Sequence, residues 1–220
     1  MLQDVKIIRS NRKTLAVAVD LFGQVTVRAP KSCGEARIFA FLKDKESWIV
    51  SRQAKAQGLI ERLPSENLDG FTFLLLGRNC TVKLTDEKRV AFDAEKYIVY
   101  APRANAKTAL VKWLKDNAKR ILTEVTACTA ERMGVTYRSV AITSAKTRWG
   151  SCTGDNAIRY TFRLIYAPKE VLEYVVVHEL AHVLQKNHSK AFWAVVEKYC
   201  PAWKSQRKWL KDNAILIKIL

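Results

Sequence analysis

Apolar residues at alternating positions predict a β-hairpin near the beginning of the chain. The alternating residues are Leu15, Val17 and Val19 in the first strand and Val25, Val27 and Ala29 in the second. Between the strands, residues 20–23 include Asp20 and Gly23, which favour a turn. Pro30 has no backbone N–H to donate, so the second strand is expected to end there.

A helix and several short strands are expected after the hairpin. From Cys33 to about Leu63, apolar residues recur at three- and four-residue spacings, which is typical of a helix. Pro64 and Gly70 then favour a turn. Three short strands are predicted to follow, over residues 72–76, 80–84 and 97–100. These elements define a β-rich N-terminal region over residues 1–104 with one helical insertion.

The remaining residues, 105–220, are predicted to form a second domain. A long amphipathic helix is expected from about Lys107 to Met133, with Gly134 as its left-handed C-terminal cap. Its predicted apolar face consists of Leu110, Leu114, Ile121, Val125 and Cys128. Two strands, over residues 139–143 and 157–164, are expected to pair antiparallel across a turn at residues 153–156.

The composition indicates a folded and strongly basic protein. Hydrophobic residues make up 49% of the chain and aromatic residues 10%, which is enough to form a core and excludes a disordered chain. The 38 basic and 21 acidic residues give a formal net charge of +17. Such a charge favours phosphate-rich or acidic partners, nucleic acid among them. A solvated basic surface with no such partner explains the composition equally well.

The cysteines and the apolar runs indicate a cytoplasmic protein. The five cysteines are scattered without close pairs, which argues against a disulfide framework and against a cysteine zinc site. This usage is typical of a reducing compartment. The N-terminal residues lack the apolar segment of a secretory signal, and the longest apolar runs are far shorter than a membrane span. No membrane partner is therefore expected.

All three histidines of the chain lie in or just after a predicted helix that begins at Pro168. His178 and His182 are four residues apart, so on a helix their Cβ atoms lie about 5–6 Å from each other on one face. That spacing lets both imidazoles bind one Zn²⁺ ion. Glu179 directly follows the first histidine, where it can act as general base on a water that the metal activates.

His188 is the predicted third metal ligand. Asn187 can adopt the left-handed conformation that ends a helix, and Ser189 can cap the helix that follows. The chain would thereby turn and bring His188 back towards the metal. Three protein ligands and one open position are the arrangement of a catalytic zinc site. A distant acid such as Glu197 is an alternative third ligand, with His188 then outside the coordination sphere.

Two motifs in this order resemble one known family. The upstream motif is Thr147-Arg148-Trp149-Gly150-Ser151-Cys152, and the downstream one is His178-Glu179-Leu180-Ala181-His182 followed by His188 and Phe192-Trp193. Together they resemble the YgjP-like metallopeptidase family, part of a wider zincin group. The histidine spacing is also similar to the metzincin pattern, but Gln185 stands where metzincins have glycine and no methionine follows His188.

The resemblance implies a fold, a metal and a substrate class. The implied fold is α+β: a zincin-like core over residues 105–220, with the active-site helix against a small antiparallel sheet, plus the β-rich N-terminal region. It also implies a zinc ion held by His178, His182 and His188, with Glu179 as general base, and a peptide or protein substrate. The basic composition leaves one alternative open, a nucleic-acid-binding protein whose zinc site is structural or vestigial.

Overall fold

The computed structural model describes residues 5–20, 22–60 and 67–220. Its contacts divide the chain into two units, Met1–Leu63 and Pro64–Leu220. This division does not coincide with the predicted boundary after residue 104, because residues 67–104 pack with the second unit. In that packing, the backbone N–H of Leu76 donates to the carbonyl of Ile165 at 2.7 Å. Leu21 of the predicted hairpin turn, Leu63 and Pro64 lie outside the described residues.

The first unit contains a three-stranded sheet and two helices. Strands β1 (Val5–Ser10), β2 (Ala16–Val19) and β3 (Val25–Pro30) lie in the order β1-β3-β2. The predicted hairpin is confirmed, because β2 and β3 pair antiparallel with Val17 opposite Val27. Strand β1 was not predicted, and it pairs parallel with β3.

Two helices replace the single predicted helix of the first unit. They are α1 (Glu35–Asp44) and α2 (Glu46–Ile60), and between them Lys45 has a non-helical ψ of 7°. The buried core between sheet and helices consists of Val25, Val27, Ala29, Cys33, Ile38, Leu42 and Ile49. Trp48, in α2, lies outside this core and is 39% exposed.

The second unit begins with a four-stranded sheet that packs against residues 162–166, just before the histidine-bearing helix. Its strands are β4 (Thr72–Leu75), β5 (Arg78–Thr85), β6 (Ala91–Asp93) and β7 (Ile98–Pro102), in the order β4-β5-β7-β6. Strands β4, β5 and β7 match the predicted ones closely, whereas the short strand β6 was not predicted. The ring of Phe73 in β4 contacts that of Tyr166 edge to face, with centroids 5.8 Å apart.

The long helix α3 (Ala106–Met133) ends at the predicted cap, Gly134, which has a φ of 65°. Its buried face differs from the predicted one and consists of Leu110, Leu114, Ala118, Leu122, Thr126, Thr129, Ala130 and Met133. Cys128, predicted to be apolar and buried, is exposed. The face includes threonine because the Thr126 hydroxyl donates to the Leu122 carbonyl at 2.6 Å, which satisfies the buried polar group locally.

A second three-stranded sheet lies next to the helix that carries the histidines. Its strands are β8 (Ser139–Thr143), β9 (Gly150–Cys152) and β10 (Ala157–Thr161), in the order β8-β10-β9. The predicted antiparallel pairing of β8 with β10 is wrong, because the two strands are parallel. The turn at residues 153–156 instead joins β9 to β10, and these two strands are antiparallel. The sheet is therefore mixed, with β9 at one edge.

Three helices complete the second unit: α4 (Lys169–Leu184), α5 (Lys190–Tyr199) and α6 (Trp203–Asp212). Helix α4 is buried on most of its surface and packs against α3, α5, α6 and β9. The predicted α+β fold, with the histidine-bearing helix against a small sheet, is confirmed. Among the described residues, none of the helices combines the length and apolar character that crossing a membrane requires.

Candidate metal centre

Helix α4 and the segment after it bring the three predicted metal ligands together. One ring nitrogen from each of His178, His182 and His188 lies within 4.8 Å of the other two. The Nε2 atoms of His178 and His188 are 3.2 Å apart. Nitrogens bound tetrahedrally to zinc at its usual bond length lie about 3.3 Å apart, which matches the separation of this pair. The alternative ligand, Glu197, is not part of the cluster.

The end of α4 places His188 by a route that differs from the prediction. Asn187 was expected in the left-handed conformation, but it is not among the described residues with positive φ. The helix ends instead at Gln185, which is extended with a φ of −136° and donates its N–H to the Ala181 carbonyl at 2.8 Å. The predicted cap of α5 is present, since the Ser189 hydroxyl accepts the N–H of Phe192 at 3.4 Å.

The extended conformation of Gln185 also orients one of the ligands. Its carbonyl oxygen lies 3.1 Å from Nδ1 of His182. A carbonyl can only accept, so the hydrogen bond requires a proton on Nδ1 and leaves the lone pair of His182 on Nε2. Metal-binding histidines are commonly held in this way by an acceptor behind the ring. The backbone carbonyl of Gln185, at the end of α4, therefore also fixes the orientation of the His182 ring.

Aromatic side chains of α5 enclose the imidazoles. Phe192 is fully buried, and its ring centroid lies 4.5 Å from that of His182, 4.7 Å from His188 and 4.9 Å from His178. Trp193 lies 5.8 Å from His188 and stacks on Trp203 at 4.3 Å. The structure places Phe192 against all three predicted ligands, a contact that the sequence motif alone did not indicate.

Burial favours the uncharged form of the predicted ligands. Burial, together with smaller effects of the neighbouring His182 and His188, lowers the pKa of His178 to about 3. Burial also lowers the pKa of His182. A metal binds only the neutral imidazole, so these shifts reduce competition from protons at neutral pH. His178 and His182 are therefore uncharged at neutral pH, the form in which an imidazole can bind a metal ion.

Glu179 lies in the same buried region, and the pKa of its carboxyl group is perturbed. It is 5% exposed, and burial raises its pKa to about 8, against a smaller opposite effect of Arg148. A carboxyl with a pKa near neutrality is well matched to proton transfer. A cation held by the neighbouring histidines would lower that pKa and favour the carboxylate.

Gly150 in the edge strand β9 leaves room for the Glu179 side chain. A Cβ atom added at Gly150 would lie 2.6 Å from Oε1 of Glu179 and 2.8 Å from its Cγ. Any other residue at this position would therefore displace the carboxyl group or the strand. A glycine within a strand can mark a close approach of this kind.

The metal centre opens into a pocket of about 630 Å³ between α4 and β9. Its walls include the three histidines, Glu179 and the whole of β9. Lys186 also lines it, and its ammonium group donates to the side-chain oxygen of Asn156 and to the Thr153 carbonyl. An edge strand, three convergent imidazoles and a buried acid thus meet in one open pocket.

Comparison with known proteins identifies one matching family. The family model described as "YgjP-like, metallopeptidase domain" matches residues 13–213. No curated protein matches the chain. Two solved structures are similar to it in part. The metallopeptidase zymogen abylysin of Pyrococcus abyssi is 21% identical, with a TM-score of 0.38, over 42% of this chain and 94% of abylysin. The metallopeptidase zymogen jannalysin of Methanocaldococcus jannaschii is 18% identical, with a TM-score of 0.35, over 41% and 91%.

Proposed function

The chain belongs to the YgjP-like metallopeptidase family, and on that premise we propose that it is a zinc peptidase in which Glu179 is the general base. The observation that carries the proposal is the meeting of three imidazole nitrogens within 4.8 Å beside a buried acid in one pocket. His178, His182 and His188 would hold the zinc. When bound, the ion would supply Lewis acidity to the attacking water and to the peptide carbonyl.

The proton transfers are assigned to Glu179. Its carboxylate takes a proton from the attacking water and then passes it to the leaving amine. Gly150 lets the side chain approach β9 closely, and this contact limits the positions that the carboxyl group can adopt. A fixed base is efficient because the alignment of proton donor and acceptor is set before the reaction begins.

The edge strand β9 is the proposed binding site for substrate. Strand β9 pairs only with β10 in its sheet and lines the pocket with all three of its residues. An extended peptide can add to such an edge through backbone hydrogen bonds, which recognise a main chain without requiring one side chain. This mode of binding would carry the scissile peptide past the histidines and Glu179.

The set of metal ligands is tested by zinc content and peptide hydrolysis after chelation and reloading. We expect the wild type to regain one zinc per chain together with its activity. His188→Gln should lose both, because two imidazoles alone hold zinc weakly. Glu197→Gln is the matched control, since it neutralises an exposed acid of α5 outside the cluster. Loss of zinc in Glu197→Gln with retention in His188→Gln would contradict the assignment.

The family match gives no support to nucleic-acid binding, so that alternative stays a prediction. Its motivation is the formal charge of +17. Binding to DNA or RNA that weakens steeply with salt, together with an inert metal site, would favour it over the peptidase.

A further inference from the structure

A second pocket, of about 740 Å³, lies within the first unit. Three cationic side chains line it, those of Arg12, Lys13 and Arg37, and no acidic residue does. None of the three forms an ion pair with an acid among the described residues. We refer to it as the Arg12 pocket. Three uncompensated cations around one cavity create a local potential that attracts anions.

Arg12 carries an unsatisfied hydrogen-bond donor at this pocket. Its Nε atom is buried and has no partner among the described residues, while its Nη2 atom donates to the Thr14 hydroxyl at 3.3 Å. Buried donors in folded proteins are nearly always paired, and an exception calls for a missing acceptor. An anion in the pocket would supply acceptor oxygens to this guanidinium group.

Arg9 holds the segment that contributes Cys33 to the wall of the pocket. The Arg9 guanidinium donates to the carbonyl of Cys33 at 2.6 Å and to that of Lys31 at 3.4 Å. This fixes the segment that leads into α1, whose N-cap residue, Gly34, provides no side-chain cap. Arg37 then follows in the first turn of that helix.

From this arrangement we propose that the Arg12 pocket binds a phosphate group carried by an organic molecule. The guanidinium group of arginine can donate two parallel hydrogen bonds to two oxygens of a phosphate. A phosphate group carries a charge of about −2 and therefore balances several cations better than a single carboxylate does. The hydroxyls of Thr14 and Ser32 line the same cavity and can donate to further oxygens. Phe41 and Leu15 form an apolar part of the wall that suits the organic portion of the ligand.

The proposal is tested by calorimetric titration of the full chain at constant ionic strength. Three probes distinguish the source of the phosphate group: inorganic phosphate, adenosine monophosphate and a single-stranded oligonucleotide of twelve residues. The variants are Arg12→Gln and Arg37→Gln, with Arg28→Gln as the control. Arg28 is an exposed residue of β3 outside the pocket. Each of the three substitutions removes one positive charge, so the net charge falls equally in all three variants. Arg37 is itself exposed, so its replacement leaves the core intact even if Arg12→Gln unfolds the unit.

We expect Arg12→Gln and Arg37→Gln to weaken binding of at least one probe about tenfold, and Arg28→Gln to weaken it less than about twofold. Tighter binding of the monophosphate than of inorganic phosphate would assign the ligand to small phosphate esters. Binding of the oligonucleotide alone would assign it to a nucleic-acid backbone. Equal losses in all three variants would show a diffuse effect of net charge and overturn the proposal, as would the absence of binding by every probe.

Discussion

Burial favours the uncharged forms of two side chains at the candidate metal centre, those of His178 and Glu179. For His178, with a pKa lowered to about 3, the uncharged form is the one that binds metal. For Glu179, with a pKa raised to about 8, the uncharged form cannot accept a proton. Burial thus keeps His178 in the form that can bind a metal and keeps Glu179 in the form that cannot act as a base. The charge of a bound cation would reverse the effect on the carboxyl group and make it active.

The buried carboxyl group should make the zinc-free protein less stable as pH rises. Its pKa is about 8 in the folded chain against an ordinary value of 4.5, so the folded state binds the proton more tightly. The contribution of this group to the free energy of unfolding should therefore fall between about pH 4.5 and pH 8, whereas the lowered pKa of His178 contributes in the opposite direction below about pH 6.5. In the presence of a chelator, Glu179→Gln should be more stable than the wild type by about 3 kcal/mol at pH 7 and equally stable near pH 4. Urea unfolding at the two pH values measures this difference, and a difference that stays constant with pH would show that ionisation of Glu179 is not its cause.

The contact between Gly150 and Glu179 should be visible in turnover. Gly150→Ala places a Cβ atom 2.6 Å from the carboxyl oxygen, so the base must move. We expect kcat to fall about 100-fold, with zinc content unchanged, because a displacement of about 1 Å costs that much. Gly154→Ala is the matched control, since Gly154 lines the same pocket and its added Cβ would meet nothing within 4 Å. Equal activities of the two variants would show that the contact does not position the base.

The residues of the site differ in how far the sequence could reveal them. The cluster of His178, His182 and Glu179 could be predicted because helical spacing is a local property. The third histidine, His188, follows soon after the helix, so its predicted position depended only on how the chain turns there. The prediction that Asn187 makes this turn in the left-handed conformation was wrong. The role of Gly150 could not be recognised, because its partner Glu179 lies on another element and no periodicity relates the two.

At the scale of secondary structure, the join between α4 and α5 determines the geometry of the site. The Ser189 hydroxyl caps α5, and the capped residue, Phe192, packs on all three imidazoles. The start of α5 is thereby coupled to the position of His188. Helix α4 itself is held by burial on several sides, so the adjustable part of the site is the segment after it.

Removal of the Ser189 cap should therefore weaken zinc binding. Ser189→Ala loses a cap that contributes about 1 kcal/mol, and we expect zinc affinity to fall up to about fivefold. Ser189→Asp keeps an acceptor at the same place and should retain most of the affinity. Competition with a chromogenic chelator measures both. If the alanine variant binds zinc as tightly as the aspartate variant, the cap does not position His188.

Two of the wrong predictions have identifiable physical causes. The parallel pairing of β8 with β10 depends on β9 taking the other side of β10, and the order of strands in a sheet is not encoded in local alternation. The buried face of α3 includes Thr126, which appears polar in the sequence but is satisfied by its own helix. The end of α3 was predicted correctly, because Gly134 is a local signal for a left-handed cap.

At the scale of the whole molecule, metal binding should be linked to the stability of the second unit. The three ligands converge only when α4 and the segment after it are folded, so zinc favours the folded state. At a free zinc concentration about 100 times the Kd, the gain is about 2.7 kcal/mol, which corresponds to a rise in Tm of about 5–10 °C. Thermal unfolding with zinc and with magnesium tests this. His188→Gln should show no rise, and an equal rise with magnesium would point to a different kind of site.

The central claim, that Glu179 is the general base of a zinc peptidase, is tested most directly by one comparison. Peptide hydrolysis by zinc-loaded Glu179→Gln should be measured beside the zinc-loaded wild type, with metal content determined on the same samples. We predict equal zinc content and a fall in kcat of at least about 100-fold, because the amide cannot accept the proton of the attacking water. A zinc-loaded Glu179→Gln variant that cleaves peptide at the wild-type rate would contradict the claim.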